Sequence, residues 1–396
     1  MFPVIPKTKK QIYLDHAAAT PVDSRVRYAM QEYFLNTFAN ASSLHSLGVS
    51  ARNAVESARK KIADILFSQP DTIIFTTGAT ESNNMAILGV LKDTKEKKHI
   101  ITSRIEHDSV LGPIAQLKKQ GHEVTYLDLD ENGFVRIEEF KKSLKKNTVL
   151  VSIMYANNEI GTIQSIADIG REILKWRKNN KTIYPYFHSD ATQAAGTLDM
   201  SVEKLHVDLM TLNSGKIYGP KGVGALYKRR GIKLEPLMYG GQQEFGLRAG
   251  TENVAGIVAF ARALEISQNE KVKTNTQIEK IRNYFWTKIQ KEIRNVELNG
   301  PLENRLPNNL NICFAGVEAE ALMLYLDSYG ILCSTGSACS TESNAPSHVL
   351  KALGYSDERA QSSIRFSLGK NTTKQDIDYV MKYLVAIIKN LRLSNF

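Results

Sequence analysis

The run Asp190-Ala-Thr-Gln193, followed after one more strand-length stretch by Asn213-Ser-Gly-Lys216-Ile-Tyr-Gly-Pro-Lys-Gly222, is what the rest of the chain is organised around. Val207–Leu212 reads as a short apolar strand that delivers Lys216 into a glycine-rich turn. Gly215, Gly219, Gly222 and Gly224 permit tight turning and close backbone approach to a ligand. A lysine so placed can form a Schiff base with a carbonyl when its surroundings keep it partly neutral. The carboxylate of Asp190 is the kind of partner that holds a protonated pyridine nitrogen. Together the two point to pyridoxal phosphate (PLP). On this stretch alone the other reading, a surface lysine in a flexible loop, stays open.

Working outward, strand and helix alternate on both sides of this run. Gln11–Leu14 reads as a strand leading into the turn Asp15–Pro21. A helix follows, with Ala51, Val55, Ala58, Ile62, Ile65 and Leu66 on one face at spacings of three and four. Ile73–Phe75 is a buried strand, and Thr76-Thr-Gly-Ala-Thr80 opens a helix through Leu91. A glycine-containing turn with hydroxyls at a helix start offers N–H groups to an anion, so Ala79 and Thr80 are phosphate candidates; Thr80 could equally cap its own helix. Strands at His99–Thr102, Glu123–Leu127, Thr148–Met154 and Ile183–Ser189 alternate with helices at Val110–Gln120, Ile137–Leu144, Ile166–Arg177 and Val202–Leu205. This order predicts an α/β fold with a mainly parallel sheet covered on both faces and a ligand at the carboxyl ends of the strands. His107, Asn158 and Asp190 all fall at such strand ends.

Beyond the lysine turn, the glycine-rich segment Gly240–Thr251 leads to a helix, Asn253–Ile266, expected to cross to a second domain. That domain is expected to open with a separate amphipathic helix carrying Ile278, Ile281, Phe285, Ile289 and Ile293. Strands at Leu310–Phe314, Ile331–Ser334 and Ser362–Phe366, a helix at Ala319–Leu326 and a final helix from the capping signal Thr373-Lys-Gln-Asp376 complete it. The loop Thr335–Pro346 sets Cys339 among small polar residues, where a thiol is accessible; Cys313 and Cys333 lie on apolar strands and read as buried small hydrophobes. Arg365 could grip a substrate carboxylate in two-pronged fashion or simply make an ion pair.

Composition is that of a globular protein large enough for two domains: 396 residues, 42% hydrophobic and 23% charged. The net charge of +10 is spread over scattered lysines, which reads as solvated faces, with no direct specific nucleic-acid binding expected. An odd count of 3 cysteines argues against a disulfide framework. No stretch has the length of a membrane span and the first residues lack a signal-peptide core, so a cytoplasmic location is expected.

Over nearly its whole length the chain resembles the NifS/IscS cysteine desulfurases, group I, within the class-V aminotransferase-like, fold-type I PLP enzymes. The resemblance is carried in order by Tyr13–Pro21, Ala79-Thr-Glu-Ser82, Glu106-His107, Asn157–Gly161, Asp190–Gln193, Lys216–Gly222, Gly250-Thr251, Gly336-Ser-Ala-Cys339 and Ser362–Ser367. It implies a large domain, 16–262, with a mainly parallel seven-stranded sheet, and a smaller α+β domain formed by 1–15 and 263–396 that carries the cysteine loop. Lys216 is similar to the Schiff-base lysine, Asp190 to the partner of the ring nitrogen and His107 to the imidazole stacked on the ring. Gln193 and Asn158 match groups near the cofactor's phenolic oxygen and the substrate. Ala79 and Thr80 match the phosphate cradle, and Thr251 a threonine reaching the phosphate of the neighbouring subunit. Cys339 corresponds to the nucleophile that takes sulfur from L-cysteine as a persulfide, and Arg365 to the carboxylate anchor; no metal is implied. A homodimer is implied, delivering sulfur to an iron–sulfur scaffold or a tRNA-thiolation enzyme. Selenocysteine lyase, another PLP lyase of the same fold, or a weakly active sulfur carrier are the alternatives. The chain departs from the family at Asn213 and Gly215, where serine and histidine usually help bind phosphate, with Ser214 or the Gly215 N–H expected to compensate. It departs again at Phe245, where arginine is usual.

Overall fold

The apolar runs that flank Asp190 and Lys216 are central strands of one sheet. The computed structural model describes residues 2–4, 10–92, 96–336 and 346–394. In chain order the elements begin with β1 (Ile12–Tyr13), α1 (Ser24–Leu35), α2 (Ser46–Leu66), β2 (Ile73–Thr76), α3 (Ala79–Leu91), β3 (His99–Ser103), α4 (Asp108–Lys119) and β4 (Glu123–Leu127). Then come α5 (Ile137–Ser143), β5 (Thr148–Ser152), α6 (Ile166–Asn180), β6 (Tyr186–Asp190), α7 (Val202–Leu205), β7 (Leu209–Asn213) and β8 (Gly224–Lys228). The remainder comprises α8 (Val254–Glu292), β9 (Val296–Leu298), β10 (Asn309–Phe314), α9 (Ala319–Ser328), β11 (Ile331–Leu332), α10 (His348–Ala352), α11 (Asp357–Gln361), β12 (Ser363–Ser367) and α12 (Lys374–Ser394).

The main sheet has 7 strands in the order β2-β8-β7-β6-β5-β3-β4. Strands β4, β3, β5, β6 and β7 pair in parallel, while β8 runs antiparallel to both β7 and β2. Strands β3, β5 and β6 are buried throughout, as a parallel sheet covered on both faces requires. On one face Ile62 and Leu66 of α2, Ile169 and Ile173 of α6 and Phe260 and Leu264 of α8 pack on Phe75, Val151 and Met210. On the other, Met85 and Leu91 of α3 and Ile114 and Leu117 of α4 pack on Ile100, Leu150 and Leu226.

A second core gathers Ile278, Phe285 and Ile289 of α8 with Leu310 and Phe314 of β10, Leu322 of α9, Phe366 of β12 and Leu384 of α12. Its sheet is antiparallel, in the order β12-β10-β9, and β1 pairs in parallel with β11 beside it. The final helix starts as its capping signal dictates: Thr373 N–H donates to Asp376 Oδ2 at 2.9 Å and Asp376 N–H to Thr373 Oγ1 at 3.2 Å. Two expectations change. The crossover helix and the amphipathic helix after it are one 39-residue helix, α8, which serves both cores, so the expected boundary between 262 and 263 falls inside it. The joining residues 267–277 hold no Pro or Gly to end a helix. Cys333 is only partly buried and lies just past β11, whereas Cys313 is buried on β10 as expected.

Candidate active site

A cavity of about 280 Å³ opens at the carboxyl ends of β5, β6 and β7. Among its lining residues are Ala79, Thr80, His107, Asn158, Asp190, Gln193, Lys216 and Arg365. Eight side chains scattered from Ala79 to Arg365 in the sequence thus meet where the alternation of strands and helices puts them.

The lysine turn is built by short-range chemistry. Asn213 Oδ1 accepts from Gly215 N–H at 2.8 Å, tightening the single 3₁₀ turn Ser214–Lys216 that follows β7. Thr20 clasps that turn from the amino-terminal segment: its hydroxyl donates to the Gly215 carbonyl at 3.0 Å and accepts from Tyr218 N–H at 2.7 Å. Lys216 Nζ donates to the Ala18 carbonyl and Gln193 Nε2 to the Ala17 carbonyl. The amino-terminal run Asp15–Pro21 is therefore a wall of the site.

Asp190 ends β6 with both oxygens engaged. Oδ1 accepts from Thr192 N–H at 2.9 Å and Oδ2 from Asn83 Nδ2 at 2.7 Å. Two strand positions earlier lies His188, whose protonation burial drives down to about 4, so it stands there as a neutral ring bridging Ser152 and Thr211. His107 is the N-cap of α4: its Nδ1 accepts from Ser109 N–H at 3.1 Å. A backbone N–H only donates, so the neutral ring carries its hydrogen on Nε2. His348, the first residue of α10, carries its hydrogen on the same nitrogen, because its Nε2 donates to the Glu106 carbonyl at 3.0 Å. Glu106 itself is fully buried, and burial pushes its carboxylic acid up to about 8.

At the anion end, α3 begins at Gly78, whose φ of 153° is open to glycine and not to residues with a Cβ. No side chain caps this helix, so its first N–H groups face outward. Thr80 is not the cap; Glu81 instead reaches back to Thr77, accepting from both its N–H and its hydroxyl at 2.6 Å. Ser214 lies off the cavity, buried, its Oγ without a partner among the described residues and lodged where a Cβ on Gly219 would come within 2.0 Å. Asn213, one residue earlier, does line the cavity, and its Nδ2 lies 3.8 Å from the position of a Cβ on Gly78.

Arg365 on β12 is 2% exposed and closes the opposite end. Its Nη2 pairs with Asp15 Oδ1 at 2.8 Å, and its Nη1 donates to the carbonyls of Gly336 at 3.0 Å and Asn158 at 3.1 Å. Its Nε has no partner among the described residues. Thr251 is exposed and outside the cavity lining. The loop before it is pinned by Glu244, which takes two hydrogen bonds from buried Arg59 at 2.8 Å each and a third from Phe75 N–H at 2.7 Å. Phe245 lays its ring 5.2 Å from the Arg59 guanidinium; the arginine usual in the family would set a second cation there. Cys339 lies outside the described residues.

The donor set suits a phosphorylated pyridine aldehyde. An uncapped helix start meets an anion, an aspartate meets a ring nitrogen, a lysine meets a carbonyl, and the buried Thr192 hydroxyl on the lining has no partner among the described residues. Comparison with known proteins agrees. Residues 12–380 match the aminotransferase class-V family. The chain belongs to this family. Cysteine desulfurase IscS of Dictyoglomus turgidum is 49% identical to this class-V chain, over 97% of its length and 96% of the relative's. The IscS of Methanosarcina thermophila is 45% identical over 97% and 93%. Among solved structures, a NifS-like protein superposes with a TM-score of 0.90 at 38% identity, covering 96% of this chain and all of that one. SspA in complex with cysteine gives 0.80 at 37% identity, over 92% of this chain.

Sequence reading did not single out Asn83, Ser109 or His348. Asn83 sits in the polar run Thr80–Asn84, three residues past Thr80 and so on a neighbouring position of the same helix face. Glu159, read with Asn157 and Asn158 as a polar group at a strand end, also lines the cavity, whereas nothing in the sequence marks His348.

Proposed function

We propose that this class-V chain is a cysteine desulfurase, converting L-cysteine to L-alanine and holding the sulfur as a persulfide on Cys339. The observation that carries the reading is the meeting of Lys216, Asp190, His107 and Arg365 in one cavity; the desulfurase relatives supply the reaction. PLP is the cofactor that the donor set fits, held by Lys216 at its carbonyl carbon, Asp190 at its ring nitrogen, His107 over its face, Gln193 near its phenolic oxygen, and Ala79 and Thr80 at its phosphate. When bound, it supplies the electron sink for negative charge at the substrate's α-carbon.

The chain's own groups do the rest. Arg365 takes the substrate carboxylate, and its unpartnered Nε and buried guanidinium make that grip directional. Asn158 orients the bound substrate. The Lys216 amine moves the α-proton. His107 presents Nε2–H and so acts as a hydrogen-bond donor into the cavity. Cys339 Sγ, as a thiolate, bonds to the substrate sulfur while the bond from that sulfur to the substrate's β-carbon breaks. The released electron pair stays with the β-carbon, which takes up a proton, so alanine leaves and a persulfide remains. The large domain, 16–262, holds the cofactor residues and the smaller one supplies Arg365 and the cysteine. A homodimer fits the exposed apolar side chains Tyr28, Phe34, Leu35, Phe38 and Leu44, with Thr251 reaching the partner's phosphate site. The sulfur acceptor is an iron–sulfur scaffold or a tRNA-thiolation enzyme, and the compartment is the cytoplasm. Among the described residues no helix is long and apolar enough to cross a membrane.

The test is release of alanine and sulfide from L-cysteine by PLP-reconstituted protein, beside Cys339→Ser and Lys216→Ala. Turnover in the wild type and in neither variant is the expected result. A wild type that binds PLP yet releases no alanine would overturn the reading.

A further inference from the structure

We propose that Asn83 is a positioning residue of this site, its one side-chain amide orienting both Asp190 and His107; this role rests on the cofactor reading above. Asn83 is fully buried in α3. Its Nδ2 donates one hydrogen to Asp190 Oδ2 at 2.7 Å and the other to Ser109 Oγ at 2.8 Å. Its Oδ1 finds no partner among the described residues. A buried orphan oxygen is costly, and an amide free to turn would satisfy it. Turning would set that oxygen against a carboxylate oxygen, two acceptors face to face, so Asp190 fixes the amide's sense.

The direction propagates. Ser109 Oγ accepts from Asn83 and turns its own hydrogen to His107 Nδ1 at 2.8 Å, the nitrogen that already accepts Ser109 N–H. Every donor on this path aims at Nδ1, leaving Nε2–H as the end of the ring free for the cavity. On the other branch the Asp190 carboxylate meets an N–H on each oxygen, from Asn83 and from Thr192, which fixes its orientation. The other titratable groups around Asp190 are Glu106, His107, His188 and Lys216. The group over the cofactor face and the group at its ring nitrogen are therefore set by one amide, although they lie on different strands' ends.

Two measurements on the holoenzyme test this. The first is the pair of kcat and KM for L-cysteine, with the pH midpoint of the bound PLP absorbance, in wild type, Asn83→Ala, Asn83→Asp and Ser109→Ala. For Asn83→Ala, kcat is expected to fall about tenfold to a hundredfold, the loss of a charge-assisted hydrogen bond, with KM within about twofold and the absorbance midpoint displaced. Asn83→Asp keeps the shape and, at neutral pH, faces Asp190 with a second carboxylate; its kcat relative to wild type should recover as pH falls and the new acid regains a hydrogen to donate. Ser109→Ala should lower kcat less and leave the midpoint in place, since Asp190 keeps its donor. The second measurement reads the ring nitrogens of His107 by ¹⁵N NMR, assigned with His107→Asn. Wild type should show hydrogen on Nε2 and a lone pair on Nδ1, and Asn83→Ala a mixture. An unmoved midpoint in Asn83→Ala, no recovery of Asn83→Asp at low pH, or an Nδ1–H ring in the wild type would each overturn the role. If Asn83→Ala does not fold, Asn83→Asp and the wild-type ring shifts decide. A wild type that holds no PLP would sink the cofactor reading, while the ring shifts would still judge Asn83.

Discussion

At the scale of single residues, the site is most exposed to burial. Glu106 has one oxygen supplied by Ser103 Oγ at 2.6 Å and Met154 N–H at 3.0 Å, and the other without a partner among the described residues. Burial, the largest cause, raises its acid from the ordinary 4.5 to about 8, with the Asp190 charge adding to it. A group raised on folding contributes stability that is full below its unfolded value and lost as pH climbs through its folded one. Wild-type Tm should therefore decline between about pH 4.5 and 8 from this group. Glu106→Gln, neutral throughout, should flatten that decline and unfold at higher temperature than wild type at pH 9; equal slopes in thermal melts would refute it. Arg365 offers a second check. Arg365→Lys keeps the charge but loses the fork that spans Asp15, Gly336 and Asn158. It should raise KM for L-cysteine about tenfold or more, and binding of L-alanine, which keeps the carboxylate, should weaken equally. Most of these residues were legible because strand ends and glycine turns mark positions along the chain. Ser214 was misjudged because sequence says that it precedes the lysine, not that its hydroxyl turns under Gly219. Asn83 was invisible because its partners lie on other elements, and Ser109 because the amide that reaches it comes from another helix.

At the scale of elements, α8 is the one that sequence divided and the chain keeps whole. Its first turns, Val254–Leu264, pack under the main sheet, while Ile278, Phe285 and Ile289 belong to the second core. The residues between are polar, and Val272 is 75% exposed; the loss of an apolar stripe resembles a loop in a sequence, although nothing there breaks a helix. A continuous helix makes a stiff strut between Lys216's sheet and the strand that carries Arg365. Val272→Pro touches no core contact yet removes a backbone donor and clashes with the preceding turn, a cost of about 3 kcal/mol. It should lower Tm by several degrees and reduce kcat/KM by more than the loss of folded protein explains, because the two ends of the cavity lose their common support. Val272→Ala should leave both unchanged. If the proline variant is destabilised yet retains full kcat/KM per folded molecule, α8 is a tether and not a strut.

At the scale of the whole molecule, the main sheet, its two covered faces and the second core follow from alternation and periodicity, and they place the cavity where a parallel sheet presents its strand ends. What one chain leaves unexplained is Thr251. It is exposed and off the cavity, on a loop held stiffly by the buried Arg59–Glu244 pair and by Glu244 and Phe245 at φ of 48° and 61°. That position fits the proposed dimer, in which the threonine serves the neighbour's phosphate site. Mixed dimers decide this. If Thr251 serves the partner's phosphate site, pairing a Lys216→Ala subunit with a Thr251→Ala subunit concentrates both lesions in one site and leaves the other intact. Co-expressed, separately tagged and purified as the heterodimer, it should recover about half of wild-type turnover, while each variant homodimer stays impaired. If Thr251 served its own chain, one site would lack the lysine and the other the threonine, and the heterodimer would do no better than the average of the two homodimers.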